Sequence, residues 1–370
     1  MKVAIVADFL QKIGGSQKVV YSLHKIYPDA PIFCLLYDEK GTKGLFKNAR
    51  VITTGLQKWP AVIRNHPKLL LNKYAKAVEQ FDLSDFDLVI SSSDSFAHGV
   101  ITKPSTLHIC YCHTPMRYAW DWTNEYLKEN KIGYGLKGLY IRNVLYGLRQ
   151  WDRVAADRVD LFIANSQNTL GRIKKYYQRD SKIINPPIEI SQIKVADQAP
   201  EDYYLIVSRL EPYKKIEIAI EAFNKIGKKL IIVGDGSAKS ELQKMAKSNI
   251  KFAGSKYGPE LFEYYRSAKA FIFPGEEDFG ITPLESMAAG RPVIAYKKGG
   301  TLETVIEGKT GLFFEEQSAE SLIAAVGKLE LNYFQFAPDE CRKQTEKFSE
   351  ENFTEKIKSF VNKYSNEEPK

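Results

Sequence analysis

The chain has 370 residues, which at roughly 100 to 200 residues per domain predicts about two domains, each large enough to bury a hydrophobic core. Hydrophobic residues make up 44% and charged residues 26% of the sequence, a balance typical of a folded globular protein and unlike that of a disordered chain. The 53 Lys and Arg exceed the 45 Asp and Glu by 8, so the chain suits an anionic partner such as nucleotide phosphates, nucleic acid or anionic lipid.

The N-terminus and the cysteines favour a cytoplasmic protein. The opening MKVAIVADFL has no small-residue cleavage site and reaches Asp8 directly after its apolar run, so it predicts a first β-strand rather than a signal peptide. No stretch reaches the ~18 consecutive apolar residues of a membrane-spanning helix, so any membrane contact is expected to be peripheral. Because the four cysteines form no CxxC pair, we expect neither a zinc site nor a disulfide framework.

Short β-branched runs alternate with helical patterns in two series along the chain. The first series lies at 2–6, 86–91, 107–112 and 161–165, and the second, after Pro186 and Pro187, lies at 203–208, 229–234, 250–254, 270–274 and 292–296. This alternation favours parallel sheets covered by helices. It predicts an α/β chain of two Rossmann-like domains facing a cleft, over residues 1–186 and 187–347, with ligands at the carboxyl ends of the strands.

Residues 348–364 carry apolar side chains at helical spacing and predict an amphipathic helix that docks against a core. Two other segments, 57–80 and 131–153, mix basic with apolar and aromatic residues, and the first contains Lys68, Lys73 and Lys76. Each predicts either an element lying on an anionic membrane or a solvated helix face over a core. Nucleic-acid binding is disfavoured because no nucleic-acid motif accompanies the charge.

The most informative stretch is PGEEDFGITPLESMAAGRPVIAYKKGG at 274–300. Residues 282–285, TPLE, match a capping box with proline at the first helical position, which predicts a helix beginning after a strand and a turn. The free N–H groups of such a helix suit a phosphate or sugar hydroxyls. Glu277 and Glu285 lie eight residues apart and could accept hydrogen bonds from sugar or ribose hydroxyls, although Glu285 could equally serve the cap alone.

Two further turns follow strands of the second series. Arg209 and Lys214 follow the run 203–208 and could clamp a diphosphate, or could be a solvated surface pair. Gly234 and Gly236 in IVGDG permit a close approach of the backbone to a ligand, although a full GxGxxG is absent.

The first half of the chain offers a glycine pair and a histidine at corresponding places. Gly15 lies in the first strand-to-helix turn, where a glycine lets backbone amides approach an anion or simply makes a tight turn. His113 follows the run 107–112 and so lies at the carboxyl edge of the predicted sheet, as a site residue or as a structural histidine.

The stretch 274–300 resembles the Glu-x7-Glu signature of the family 4 retaining glycosyltransferases, with DFGITPL between Glu277 and Glu285. The string HTPMRYAWD at 113–121, with SSSDSFAHG at 91–99, is similar to the bacterial mannosyltransferase branch of that family. The turn at 208–215 resembles the family's Gly-Arg-x4-Lys-Gly, with Ser208 and Lys215 in place of the two glycines.

The resemblance implies the GT-B fold, with the C-terminal helix returning to the N-terminal domain, and roles for the residues matched. Arg209 and Lys214 would hold the donor diphosphate, Glu277 the sugar hydroxyls and Glu285 the ribose. His113 would orient the sugar and leaving group. The remaining expected donor contacts are Gly15, Gly234, Gly236, Phe279, Gly280, Ile281 and Thr282.

The resemblance further implies a retaining, metal-independent transfer of a hexose, without a cofactor, from a nucleotide-sugar donor to a glycan or lipid-linked saccharide acceptor in polysaccharide or O-antigen-type biosynthesis. GDP-mannose is the favoured donor because of the HTPMRYAWD string. Three alternatives stay open: a UDP-hexose donor, a nucleotide-sugar epimerase on the same fold, and a non-catalytic nucleotide-sugar-binding module.

Overall fold

The computed structural model describes residues 1–64 and 70–365, and the chain divides into two compact units. The first unit consists of Met1–Pro187 together with Phe353–Lys370, and the second of Ile188–Asn352. Lys68, which the sequence analysis placed in a basic segment, lies outside the described residues. Both units are built on parallel sheets, so the predicted α/β class with two Rossmann-like domains is confirmed.

A seven-stranded parallel sheet forms the centre of the first unit, in the order β3-β2-β1-β4-β5-β6-β7. Its strands are β1 Val3–Leu10, β2 Ile32–Tyr37, β3 Val51–Thr53, β4 Leu88–Ser93, β5 Leu107–Cys112, β6 Leu161–Ala164 and β7 Ser181–Ile183. The inner strands are buried along nearly their whole length, since helices cover both faces of a parallel sheet.

The helices of the first unit among the described residues are α1 Gly15–Ile26, α2 Ala61–Arg64, α3 Leu71–Val78, α4 Thr123–Glu129, α5 Leu136–Ala156 and α6 Gln167–Arg172. A π-helical turn, Ile173–Tyr177, continues α6. In α3, Tyr74, Ala77 and Val78 are buried, whereas Lys73 and Lys76 are exposed. The apolar residues of α3 therefore pack into the core, and its lysines form an exposed basic face.

The second unit has a six-stranded parallel sheet in the order β10-β9-β8-β11-β12-β13. Its strands are β8 Tyr204–Val207, β9 Leu230–Val233, β10 Ile250–Gly254, β11 Ala270–Phe273, β12 Val293–Tyr296 and β13 Gly311–Phe314. Its helices are α7 Ile216–Ile226, α8 Lys239–Met245, α9 Gly258–Ser267, α10 Ile281–Ala288, α11 Thr301–Thr304, α12 Ala319–Leu331 and α13 Pro338–Thr345.

The predicted C-terminal helix is α14, Glu350–Ser365. Phe353, Ile357 and Val361 repeat every four residues on one face and are buried in the same hydrophobic cluster as Ile5 of β1. The ring of Phe353 packs edge-on against that of Tyr111 on β5, with centroids 5.8 Å apart. The core of the first unit is thus completed by the end of the chain.

Four of these strands were not predicted from the sequence. They are β2, β3, β7 and β13. Strands β3 and β7 have three residues each and lie at opposite edges of the first sheet, where alternation is too short to be read from the sequence.

Candidate active site

Three of the predicted site segments lie side by side at the carboxyl edge of the second sheet. Arg209 follows β8, Gly234 and Gly236 follow β9, and Glu277 follows β11. Strands β9, β8 and β11 are neighbours in the sheet, so parallel topology places these turns at one edge. The fold therefore brings together segments that are far apart in the sequence, as predicted for a ligand site of this unit.

Lys214 and Glu277 form an ion pair at this edge. Both side chains are mostly buried, and together with Ser208 and Gly275 they line a cavity of about 10 Å³ between β8 and β11. That volume is enough for about one water molecule. Lys214 was predicted to hold the diphosphate and Glu277 to hold the sugar. In the structure, these two charges neutralise each other.

In the turn that carries Lys214, the backbone is left-handed at Lys215, the position where the resembled motif has glycine. Lys214 ends a short 3-10 turn, and the next residue, Lys215, has φ +56°. Holding a non-glycine residue there costs roughly 1–2 kcal/mol. Although Lys215 stands where the resembled motif has glycine, the turn still adopts the left-handed conformation that glycine favours.

Arg209 is exposed and is held by a tyrosine of the same turn. Its Nη2 donates to the hydroxyl of Tyr213 at 2.6 Å. The ammonium of Lys214 lies 5.1 Å from the centroid of the Tyr213 ring. Tyr213 therefore contacts both cations, and the sequence analysis did not single it out.

Glu285 is a buried residue of α10, with 5% of its surface exposed. Its Oε2 accepts a hydrogen bond of 2.8 Å from the hydroxyl of Tyr265 on α9. Burial and the neighbouring carboxylate raise the pKa of Tyr265 well above its usual value, so this phenol remains a donor to Glu285 at neutral pH. The structure thus separates the two glutamates, with Glu277 at the cavity and Glu285 held against α9.

The predicted capping box at residues 282–285 is wrong. Helix α10 begins at Ile281, one residue before Thr282, and its N-cap is Gly280, which has φ +88° and no side chain to accept a hydrogen bond. Thr282 therefore lies inside the first turn, and the first N–H groups of α10 have no intrahelical partner. Phe279, just before the cap, is buried with its ring 5.6 Å from that of Phe348.

Gly234 and Gly236 allow one backbone segment to approach another. A Cβ at Gly234 would lie 1.8 Å from the carbonyl oxygen of Ser208, and one at Gly236 would lie 2.4 Å from that of Leu210. These glycines thus pack the turn after β9 against the turn after β8. A contact with a ligand is an additional role that stays a prediction.

His113 lies where the sequence placed it, directly after β5 at the carboxyl edge of the first sheet. Its backbone N–H donates to the carbonyl of Ser93 at 2.8 Å, and its Nε2 lies 2.8 Å from Oγ of Ser92. Burial lowers the pKa of His113 to about 4, although the charge of Asp94 acts in the opposite direction. His113 is therefore a neutral imidazole at pH 7.

Three consecutive serines at the end of β4 each bond a histidine. Besides the Ser92–His113 pair, Oγ of Ser91 lies 2.8 Å from Nε2 of His108, and Oγ of Ser93 lies 3.1 Å from Nδ1 of His98. Side chains alternate along a strand, so Ser91 and Ser93 share one face of the sheet and Ser92 lies on the other. Only the pair on the face of Ser92 involves a predicted site residue.

Asp8, in the second half of β1, organises the loop that follows these serines. Its two carboxylate oxygens accept hydrogen bonds from the backbone N–H groups of four consecutive residues, at 2.6 to 2.9 Å. The donors are Asp94, Ser95, Phe96 and Ala97. From the sequence, Asp8 served only as evidence against a signal peptide. An acidic residue inside an apolar strand was the signal available for this role.

Most of the HTPMRYAWD string is built into the first unit as a scaffold. Met116 is fully buried, and Nε1 of Trp120 donates to Asp152 of α5 at 2.7 Å. Asp121 forms an ion pair with Arg172, with Oδ2 and Nη2 3.2 Å apart. Gly15, in contrast, is the exposed first residue of α1, with Gly14 as its N-cap.

Comparisons with known proteins cover nearly the whole chain. Residues 13–192 match the model for Glycosyltransferase Family 4, and residues 188–353 match that for glycosyl transferases group 1. The chain belongs to glycosyltransferase family 4. The two matched ranges meet where the structure divides the chain into its two units.

Several glycosyltransferases are similar to parts of the chain. Sulfoquinovosyl transferase SQD2 of Arabidopsis thaliana is 29% identical over 191 residues, 49% of this chain and 38% of that protein. The alpha-1,3/1,6-mannosyltransferase ALG2 of Dictyostelium discoideum is 32% identical over 34% of this chain and 37% of its own length. A GDP-mannose-dependent alpha-mannosyltransferase of Mycobacterium tuberculosis is 36% identical over 29% and 28%.

A solved structure shares the fold over the full chain. HepE of Anabaena, in complex with UDP, superposes with a TM-score of 0.73 at 18% identity, covering 98% of this chain and 100% of that one. Within residues 1–64 and 70–365, no helix is long and apolar enough to cross a membrane. The same residues contain no group of three or more His, Cys, Asp or Glu placed to hold a metal ion.

Proposed function

We propose that this family 4 member is a retaining, metal-independent hexosyltransferase that transfers mannose from GDP-mannose to a glycan or lipid-linked saccharide. The observation that carries the proposal is the half-buried Lys214–Glu277 pair beside Arg209, at the edge of the second sheet where open α/β folds bind ligands. A cation and a carboxylate at one cavity match the two ends of a sugar diphosphate, which are an anion and a set of hydroxyls.

In the proposed reaction the donor separates Lys214 from Glu277. The diphosphate takes the ammonium of Lys214 and the guanidinium of Arg209, and the sugar hydroxyls donate to the carboxylate of Glu277. The free N–H groups at Ile281 and Thr282 add positive potential next to the developing phosphate charge. Glu285, held by Tyr265, is proposed to receive the ribose hydroxyls, and Gly234 and Gly236 to keep the turns in register.

His113 is proposed to contact the transferred sugar and the leaving group. Because its pKa is lowered to about 4, it acts as a neutral hydrogen-bonding group and not as a cation at pH 7. In the front-face mechanism that we propose, the leaving diphosphate takes the proton of the acceptor hydroxyl as the new glycosidic bond forms on the face from which the diphosphate leaves. The product then keeps the anomeric configuration of the donor.

Mannose is favoured over other hexoses by the HTPMRYAWD string and by the mannosyltransferases among the relatives. A UDP-hexose is the second candidate because Anabaena HepE, which shares the fold, binds UDP. A sulfoquinovosyl transferase among the relatives extends the range of sugars to be tested.

The deciding experiment measures thermal stabilisation by GDP, UDP, ADP and their sugar conjugates. A ligand that binds only the folded chain stabilises it by RT ln(1 + [L]/Kd), about 2.7 kcal/mol at a hundredfold excess over Kd. We expect GDP-mannose to give the largest shift, and Lys214→Ala to abolish it. Lys225→Ala, which removes a surface ion pair to Glu320 in the same unit, is the matched control and should leave the shift intact.

Selective stabilisation by UDP conjugates would refute the mannose assignment while keeping a transferase. Turnover of the donor to an isomer in the absence of acceptor would identify an epimerase. Selective binding with no transfer to any saccharide acceptor would point to a non-catalytic binding module. No shift with any nucleotide would contradict the proposed roles of Arg209 and Lys214.

A further inference from the structure

Helix α5 presents a row of exposed apolar side chains on the outside of the first unit, interrupted by the exposed Asn143. The stripe is formed by Leu136, Leu139, Tyr140 and Tyr146, which are 90%, 64%, 57% and 56% exposed. Tyr134, just before the helix, is 91% exposed. Residues 136, 139, 140 and 146 lie on one side of an α-helix, because side chains three or four positions apart share a face. We call these five residues the α5 stripe.

The beginning of α5 has little contact with the core of its own unit. Apart from Gly138, the buried residues of the helix start at Leu145 and run to its end. A Cβ at Gly138 would lie 1.8 Å from the carbonyl oxygen of Gly133, so the loop before the helix folds tightly over its first turn. The second half of α5 therefore anchors the helix, and the first half projects its apolar side chains outwards.

The stretch of sequence that carries the α5 stripe is basic. Between residues 130 and 151 it contains Lys131, Lys137, Arg142 and Arg149 and neither Asp nor Glu, and of these Arg149 is held by the carbonyl of Ala119 at 2.6 Å. The guanidinium of Arg142 lies 4.5 Å from the centroid of the Tyr134 ring. From the adjacent α3, Asn72 donates to the hydroxyl of Tyr140 at 3.0 Å, and the lysines of α3 extend the positive surface.

We propose that the α5 stripe is a docking surface for an anionic lipid membrane, with Leu136 and Leu139 inserting among the acyl chains. The tyrosines would lie at the headgroup level, where their apolar rings and polar hydroxyls suit the boundary between lipid and water. The cations would contact lipid phosphates. The proposal assigns membrane contact to the segment 131–149 and not to α3, whose apolar side chains pack into the core.

A second copy of the chain is a poorer occupant of this surface. A two-fold dimer brings the same patch together from both subunits, so Lys137 and Arg142 would face the equivalent cations across the interface. Like charges that meet in an interface oppose association. A surface of anionic headgroups has the complementary charge and accepts apolar side chains at the same time.

The test is sedimentation of the full chain with lipid vesicles, without any nucleotide or saccharide, so its result does not depend on the donor or the reaction. We expect binding to phosphatidylglycerol-containing vesicles, no binding to pure phosphatidylcholine vesicles, and weaker binding as salt is added. Lys137→Gln with Arg142→Gln should lower the partition coefficient about 25-fold, or about fivefold for each cation removed. Leu136→Ser with Leu139→Ser should lower it at least about tenfold.

The matched control is Leu331→Ser with Phe334→Ser, which alters two residues of the second unit that are 81% and 83% exposed. We expect this variant to bind vesicles as the parent chain does. Equal binding to neutral and anionic vesicles, equal loss in the control, or no sedimentation at all would overturn the proposal. If the parent chain self-associates without lipid and the Leu136/Leu139 variant does not, the membrane proposal is overturned in favour of a dimer.

Insertion can be measured separately from binding. The native cysteines are buried, so a thiol introduced by Leu139→Cys can be labelled selectively with an environment-sensitive fluorophore. We expect a blue shift with anionic vesicles, and quenching by lipids brominated in the acyl chain. A label that stays in water while the chain sediments would overturn the insertion of α5.

Discussion

The buried histidine His108 should make the first unit sensitive to acid. It lies on β5 without measurable exposure, and its Nε2 lies 2.8 Å from Oγ of Ser91. Burial, with the positive charges of His98 and Arg158, lowers the pKa of His108 to about 3. In the unfolded chain the same group titrates near its ordinary value of about 6.5.

The sign follows from proton binding in the two states. Below pH 6.5 the unfolded chain takes up a proton at residue 108, whereas the folded chain takes it up only near pH 3. The unfolded state therefore binds more protons, and the free energy of unfolding falls as the pH drops through this window. Between pH 8 and pH 5.5, protonation of His108 in the unfolded chain lowers the free energy of unfolding by about 1.4 kcal/mol. This loss is set by the pKa of the unfolded state alone, as long as the pKa in the folded state stays well below 5.5.

The assay can follow the first unit alone, because all four tryptophans of the chain, at 59, 120, 122 and 151, belong to it. Urea unfolding followed by tryptophan fluorescence at pH 8 and pH 5.5 gives the loss of stability for the parent chain and for His108→Gln. We expect the variant to lose about 1.4 kcal/mol less than the parent, whatever its stability at pH 8.

Ser91→Ala is the matched control, since it removes the hydrogen-bond partner of His108 but keeps the buried imidazole. It should retain the full pH dependence of the parent. An equal loss of stability in His108→Gln and the parent would refute the reasoning. So would a Ser91→Ala variant that has lost its pH dependence.

Three further outcomes are expected. Gly234→Ala should destabilise the second unit by about 2–3 kcal/mol, because its Cβ would meet the carbonyl oxygen of Ser208, whereas Gly227→Ala, at positive φ but in open space, should cost about 1 kcal/mol. Far-UV circular dichroism would show the loss of structure while tryptophan fluorescence stays native. Equal destabilisation by the two substitutions would contradict the contact between Gly234 and Ser208. Phe353→Ala should destabilise the first unit by about 3–5 kcal/mol and Phe360→Ala by clearly less, as measured by tryptophan fluorescence in urea. Similar losses in the free energy of unfolding for the two variants would argue against the docked helix. The four buried cysteines should react with a thiol reagent only after denaturation, since burial raises the pKa of Cys341 to about 12, and rapid labelling of the native chain would contradict this.

Most of the strands and the places of the site residues could be predicted from local patterns. Buried parallel strands are short, nearly continuous apolar runs, so β1, β4 and β5 stand out in the sequence. Ligands bind at the carboxyl ends of such strands, so the residues that directly follow an apolar run are the natural candidates. Arg209, Glu277 and His113 could be found in this way from the sequence alone.

Contacts between distant residues could not be read in this way. Asp8 bonds backbone groups 86 to 89 positions away, and although an acidic residue inside an apolar strand is unusual, no local pattern identifies such distant partners. The capping box failed for a different reason, because Gly280 takes a left-handed conformation that lets α10 begin one residue before Thr282. The Lys214–Glu277 pair likewise depends on how two turns meet at the sheet edge.

The return of the chain to its first unit also bears on how the protein is made. When residue 187 has been synthesised, all seven strands of the first sheet exist, but the helix that covers Ile5 with Phe353, Ile357 and Val361 does not. At about 5–20 residues per second, translation of residues 188–352 takes roughly 10 to 30 seconds. Throughout that interval the nascent first unit exposes one apolar face, so the hydrophobic cluster around Ile5 is completed only after the whole second unit has been synthesised.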